Sequence, residues 1–300
     1  MIFRKLTFAA AASCFALALS SPVSAETVET PAAPGPALWK LADEDTTIYL
    51  FGTVHILPKD KVWFGPVIDQ ALDSSDVLVT EIPSGPETDA KAAALIAEKG
   101  TLPAGTTVRS LLDPEQLATY EAAMSKLGIP AESFDSFEPW MGALNFSLLP
   151  SMMAGYSPEV GVETVLEREA APTVGRGALE TLEFQFSVFD ELPMEKQVTY
   201  MITAAEMVDE MAPFLDSMVA EWIAGDAEGL AELMNEGMDD DPVIAERLLF
   251  SRNANWAEWI DQRMDQPGTV FIAVGAGHLA GERSVQDLLE QRGFTIDRVQ

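Results

Sequence analysis

Cysteine occurs once in this 300-residue chain, at Cys14, and histidine twice, at His55 and His278. A single thiol excludes an internal disulfide framework and a cysteine-rich metal site, so the core alone must hold the fold. Cations are scarce too: 18 Lys and Arg stand against 48 Asp and Glu, for a net charge of −30. Every phosphate contact needs a cation, so this surface argues against nucleic-acid and anionic-membrane partners. The helical motif H-E-x-x-H is missing, which rules out the commonest zinc-protease layout. After the N-terminal segment, no apolar run reaches the ~18 residues of a membrane span.

At the N-terminus, Arg4 and Lys5 precede the apolar stretch LTFAAAASCFALAL, and Val23-Ser24-Ala25 follow it. This reads as a secretory signal peptide over residues 1–25, cleaved after Ala25. A lipoprotein signal ending at Cys14 is the other reading, although it would open the mature chain on Phe15-Ala16-Leu17. Cleavage after Ala25 leaves a periplasmic or secreted chain with no cysteine and, having lost two cations, a net charge of −32. Residues 26–36, rich in Pro, Ala and Thr, read as a flexible linker. Residues 37–300 then form an α/β domain of roughly 265 residues.

Within that domain a strand at 46–51, a helix at 66–75 and a strand at 76–83 predict a parallel pair joined by a right-handed crossover. Asp113, Pro114 and Gly128 mark the cap, first turn and stop of a helix. Further helices are expected over 138–155, 157–170, 193–225, 226–236 and 241–264, with a weak strand at 172–174. A strand at 269–274, a helix at 281–292 and a strand at 294–299 close the chain. The fold class is therefore α/β, a mixed, largely parallel central sheet built from both chain ends, with a mostly helical insert over about 87–265. The Met-rich face of that insert (Met201, Met207, Met211, Met218, Met234, Met238) reads as helix packing. Its other reading is a peptide-binding groove, because methionine adapts to varied partners.

Both histidines sit in one local pattern. TIYLFGTVHILP (47–58) and TVFIAVGAGHLAGE (269–282) are each an apolar run followed by Gly-x-x-His. Ligands of parallel sheets bind at the carboxyl ends of the strands, and His55, Glu81 and His278 each follow a strand. Two imidazoles and a carboxylate are a usual ligand set for a catalytic divalent ion such as zinc, manganese or cobalt. Such an ion lowers the pKa of bound water. Glu81 suits the role of ligand or base, and Glu180, beyond the weak strand, that of fourth ligand or general base. In SRNANWAEWI (251–260) Arg252, Asn255, Trp256 and Trp259 fall at helical spacings. There Arg252 suits gripping a carboxylate or a developing oxyanion. The competing reading makes the histidines hydrogen-bonded turn residues and Arg252 half of a surface salt bridge.

The order PALWK, TIYLFGTVHILP, DVLVTEI, GVE, LET, EFQ, RN-x-x-W, VFIAVGAGHLAGE and LLEQRGF resembles the TraB/PrgY/GumN family, which includes the Tiki proteins. The resemblance runs from about Pro36 to Val299. It implies a fold like that of the erythromycin-esterase and ChaN group, where related proteins serve hydrolysis or haem binding. It also implies a metal-dependent protease with His55 and His278 as metal ligands and Glu81 as ligand or base. Glu180, Arg252 and Asn253 become site residues, and Glu163 falls where relatives often carry Asp. The expected function is an exported metal-dependent hydrolase, a peptidase acting on a peptide or protein. The alternative is a non-enzymatic binder of haem, metal or peptide.

Overall fold

The computed structural model describes residues 35–235 and 242–300. The signal-peptide reading, Cys14, nearly all of the linker and Met238 lie outside the described residues. In chain order the elements are β1 (Leu38–Ala42), β2 (Thr46–Thr53), β3 (Leu57–Pro58), α1 (Pro66–Asp73), β4 (Val77–Thr80) and α2 (Pro86–Lys99). Then come α3 (Pro114–Leu127), α4 (Pro139–Met153), β5 (Tyr156–Ser157), α5 (Val162–Glu169), β6 (Gly175–Ala178) and α6 (Leu182–Asp190). Next are α7 (Met194–Glu206), α8 (Met211–Ala224), α9 (Ala227–Asn235), α10 (Pro242–Ala245) and α11 (Ser251–Met264). The chain ends with β7 (Gly268–Gly275), α12 (Val285–Gln291) and β8 (Asp297–Arg298).

Six strands form one sheet in the order β6-β4-β7-β2-β1-β8. The four from β6 to β2 are parallel, and β1 pairs antiparallel with both β2 and β8. This is the expected α/β class with a largely parallel sheet. Strands β2 and β7, from opposite ends of the chain, lie side by side over their whole length, Thr46 opposite Gly268 through to Thr53 opposite Gly275. Both are apolar through their middles, residues 48–51 and 270–274, as a strand covered on two faces must be. On one face Phe51, Leu78 and Phe271 pack against Ile68, Val162, Leu166 and Trp222. On the other Ile48, Leu50, Val270 and Ile272 pack against Trp256, Ile260, Val285 and Leu289. A third core, around Tyr120, Met124, Phe146 and Met201, belongs to the helices alone.

Several boundaries differ from the sequence expectation for local reasons. The weak strand sits at Gly175–Ala178 instead of 172–174. Pro172 has no N–H to give a ladder, and Val174 N turns back onto Ala171 O at 3.0 Å, so pairing starts later. The helix expected over 193–225 is two helices joined by a 3-10 turn at Met207–Asp209, because Pro213 cannot donate to a preceding carbonyl and is tolerated only in a first turn. The last strand is cut to two residues, which is all that β1 pairs. Between α10 and α11 the helix widens into a π turn over Glu246–Phe250, a feature that often accompanies functional sites. Helices α2 and α6 were not read from the sequence, although Pro86 and the Thr181 cap mark their starts.

Candidate functional site

The sheet order brings the site together. Strand β7 lies between β4 and β2, so the residues following these strands gather at one edge in the order Glu81, His278, His55. Gly275, the last residue of β7, is the meeting point. From the place a Cβ would occupy on Gly275, Glu81 Oε1 is 3.1 Å away, His278 Cδ2 3.5 Å and His55 Nε2 4.0 Å. Any side chain at Gly275 would fill the space the three groups share. The duplicated Gly-x-x-His is thus one pattern used on two adjacent parallel strands.

His278 is buried on a 3-10 turn, Ala276–Leu279. Its Nδ1 lies 2.6 Å from Asn253 Oδ1, and Asn253 Nδ2 donates to Arg283 O at 2.9 Å. An amide oxygen beside Nδ1 fixes the tautomer with the proton there, leaving the Nε2 lone pair to accept from Arg252 Nη1 at 3.1 Å. Burial pushes the His278 pKa down to about 3, so the imidazole is neutral at physiological pH. Trp256 packs on it with ring centroids 4.3 Å apart.

Arg252 lies under the site. Its Nη2 donates to Glu81 Oε2 at 2.6 Å and to Glu180 Oε2 at 2.9 Å, and its Nε donates to Glu180 Oε1 at 2.9 Å. Its Nη1 also reaches Leu248 O, at 3.0 Å, in the π turn. All five N–H groups of the guanidinium are therefore engaged. Glu180 Oε1 accepts a further bond from Trp256 Nε1 at 2.9 Å. Both oxygens of Glu180 are occupied by this clamp, so Glu180 anchors Arg252. Arg252 in turn orients Glu81 and His278, and Asn253 sets the His278 ring. Burial pushes Glu180 above the ordinary carboxylate range. For Glu81 burial acts in the same direction, but His278, Arg252 and His55 outweigh it and bring the pKa to about 2. With His278 neutral, Arg252 and His55 are the cations that matter near pH 7. Glu81 Oε2 also accepts from Gln185 Nε2 at 2.9 Å, whereas Oε1 accepts one bond, from Gly275 N at 2.8 Å.

His55 is the exposed member, with 68% of its side chain open to solvent. Its Nδ1 lies 2.6 Å from Glu163 Oε1, which also accepts from Thr53 Oγ1 at 2.5 Å. The Glu163 carboxylate beside it raises His55 from 6.5 to about 9. Gly161 makes this pair possible: a Cβ there would collide with the His55 carbonyl oxygen, so α5 could not bring Glu163 alongside. The sequence reading placed Glu163 at the site only through resemblance, and it gave no site role to Gln185, Trp256 or Thr53. The one local signal for Trp256 was its four-residue spacing from Arg252.

Among the described residues, no group of three or more His, Cys, Asp or Glu side chains already stands as a metal centre. The donor chemistry nonetheless suits a divalent ion. His278 Nε2 and Glu81 Oε1 are 3.9 Å apart, a gap that an ion about 2.0–2.2 Å from each donor can bridge. His55 would complete the set after losing its proton, and Arg252 Nη1 would have to release Nε2. No helix among the described residues is long and apolar enough to cross a membrane.

Among known proteins, the chain is 24% identical over 276 residues to an uncharacterized protein of Treponema pallidum, covering 85% of this chain and 80% of that one. It is 22% identical over 249 residues to the uncharacterized protein YbaP of Escherichia coli, covering 80% of this chain and 87% of YbaP. It is also 24% identical over 313 residues to the metalloprotease TIKI1 of Danio rerio, covering 87% of this chain and 62% of TIKI1. No solved structure matches. The model of the TraB/PrgY/gumN family matches residues 37–298, and the chain belongs to that family.

Proposed function

We propose that the chain is an exported, metal-dependent hydrolase acting on peptide bonds. The observation that carries this reading is the convergence of His55, Glu81 and His278 around Gly275 at the carboxyl ends of parallel strands. The similarity to the metalloprotease TIKI1 and the leader-like residues 1–25 point the same way. His55, Glu81 and His278 would hold the divalent ion (zinc, manganese or cobalt), which when bound supplies Lewis acidity and a water of lowered pKa.

The chain's own residues orient and charge the site. Asn253 holds the His278 tautomer, and the clamp of Arg252 and Glu180 keeps Glu81 ionised and fixed. Glu163 and Thr53 aim His55 Nε2 at the cleft. Glu81 Oε1, which among the described residues accepts one hydrogen bond, is the carboxylate atom open to serve as ligand or to take a proton from water. Arg252 and Asn253 act by positioning, since their polar atoms are already engaged.

The test pairs elemental analysis of the reloaded protein with a peptide-library cleavage assay in Mn, Co and Zn. One ion per chain, lost together with cleavage in His55→Ala and His278→Ala, is the expected outcome. Equal metal content in wild type and both variants would sink the site. A haem absorbance shift without turnover would favour the binding-protein alternative.

A further inference from the structure

Two cavities open on the site, and they share His55, Glu81 and Gln185. The first, about 400 Å³, has an apolar wall of Val188 and Phe189 from α6, Leu215 and Met218 from α8, and Leu248 and Leu249 from the π turn. Met234 of α9 closes it beside His278: a Cβ on Gly277 would collide with the Met234 thioether. The second, about 630 Å³, runs along α2 and α5 past Ser84, Thr88, Asp89 and Glu167. Both volumes lie within the roughly 300–1,000 Å³ of ligand sites.

We propose that the cavities are two arms of one substrate cleft, and that the apolar arm receives a bulky aliphatic or aromatic side chain of a peptide, next to the bond that is cut. This rests on the hydrolase reading above. A cleft that extends to both sides of His55 and Glu81 suits a chain cut in its interior, whereas an acyl chain needs a single blind arm. Glu81, Asp89, Glu163 and Glu167 make the cleft acidic, which disfavours a fatty-acid carboxylate or an anionic headgroup. Leu215 and Met218, three residues apart on α8, present one face and are only half-buried. Met218 and Met234 give the wall the adaptability to take side chains of several shapes. Of the Met-rich face, Met201 is core, and these two line the cleft.

The experiment uses the full chain and fluorescein-labelled Gly/Ser hexapeptides that differ at one residue: Ala, Leu, Phe, Lys or Glu. Binding is read by anisotropy, and cleavage of the same peptides by mass spectrometry in Mn, Co and Zn. The Leu and Phe peptides are expected to bind at least about tenfold more tightly than the Ala peptide, the size of effect an apolar pocket gives for a methylene. Met218→Lys is expected to shift the preference from Leu to Glu, and Leu215→Ala to relax it, with circular dichroism reporting the fold of each variant. Should a variant fail to fold, the wild-type Leu-to-Ala ratio still decides. Selective binding without cleavage supports the subsite and overturns the hydrolase reading alone. Cleavage without selectivity overturns the subsite alone, as does tighter binding of fluorescein-labelled decanoate than of the Leu peptide.

Discussion

Arg252→Met removes the positive charge at the base of the site while keeping an apolar stem of similar length. The guanidinium is 8% exposed and lies between Glu81 at 10% and Glu180 at 5%. In the variant both carboxylates stay buried, with donors from Gly275, Gln185 and Trp256 but without their counter-ion. Breaking a buried pair by removing one partner costs about 3–5 kcal/mol. At roughly 2–4 °C per kcal/mol for a chain approaching this size, Tm falls by about 6–20 °C. The loss has a definite pH dependence. Arg252 lowers the pKa of both carboxyls, and Glu180 already lies above the ordinary 4.5, so without Arg252 both rise and Glu180 lies further above it. The penalty is therefore full at neutral pH and shrinks as pH falls toward that value. Adding Glu180→Gln removes one orphaned charge and restores part of the stability. Urea unfolding at pH 5, 6 and 7, with EDTA present, measures all of this. A loss below about 1 kcal/mol, or one equal at pH 5 and pH 7, would refute the idea that a desolvated ion pair holds the cluster.

The two histidines give two imidazole signals by NMR. The His278 signal is expected to stay untitrated from pH 5 to 9, and the His55 signal to move with a midpoint above 6.5. The stabilisation from the His55–Glu163 pair is then full below pH 6.5 and lost as pH rises through about 9. Solvent screening at the exposed His55 keeps that contribution small, and Glu163→Gln abolishes it. Trp256→Phe keeps the packing but removes the donor to Glu180 Oε1, for an expected loss of about 1.5–3 kcal/mol in chemical denaturation. Glu138 has a buried oxygen with no hydrogen-bond partner among the described residues, and burial and Asp190 push its pKa up. Glu138→Gln is therefore expected to stabilise the fold by on the order of 1 kcal/mol. That gain grows as pH rises above 4.5 and is missing at pH 4.

The strand ends were legible because β2 and β7 carry uninterrupted apolar runs that stop at Gly-x-x-His. The α/β class followed from the strand-helix-strand order at both termini. Sequence could not show that β7 lies between β4 and β2, and this placement alone puts Gly275 among His55, Glu81 and His278. The role of Arg252 was equally hidden. The spacing of Arg252 on its helix suited a grip on some carboxylate or oxyanion, but only the fold shows that Glu180 and Glu81 share it and leave no N–H free for substrate. Helix α2 buries no residue, so its sequence carries no apolar stripe to read. Glu163 lacked any local signature, since its meaning comes from the close approach at Gly161.

The most direct test of one shared hydrolytic centre is a double-mutant cycle on peptide cleavage by the metal-loaded protein, using His55→Ala, Glu81→Gln and His278→Ala. Residues that act as a unit are strongly non-additive. Each single substitution is expected to lower kcat/KM by about a thousandfold or more, and each double variant to be no worse than its worse parent. Independent, additive losses, or full activity in any one of the three, would contradict a shared site.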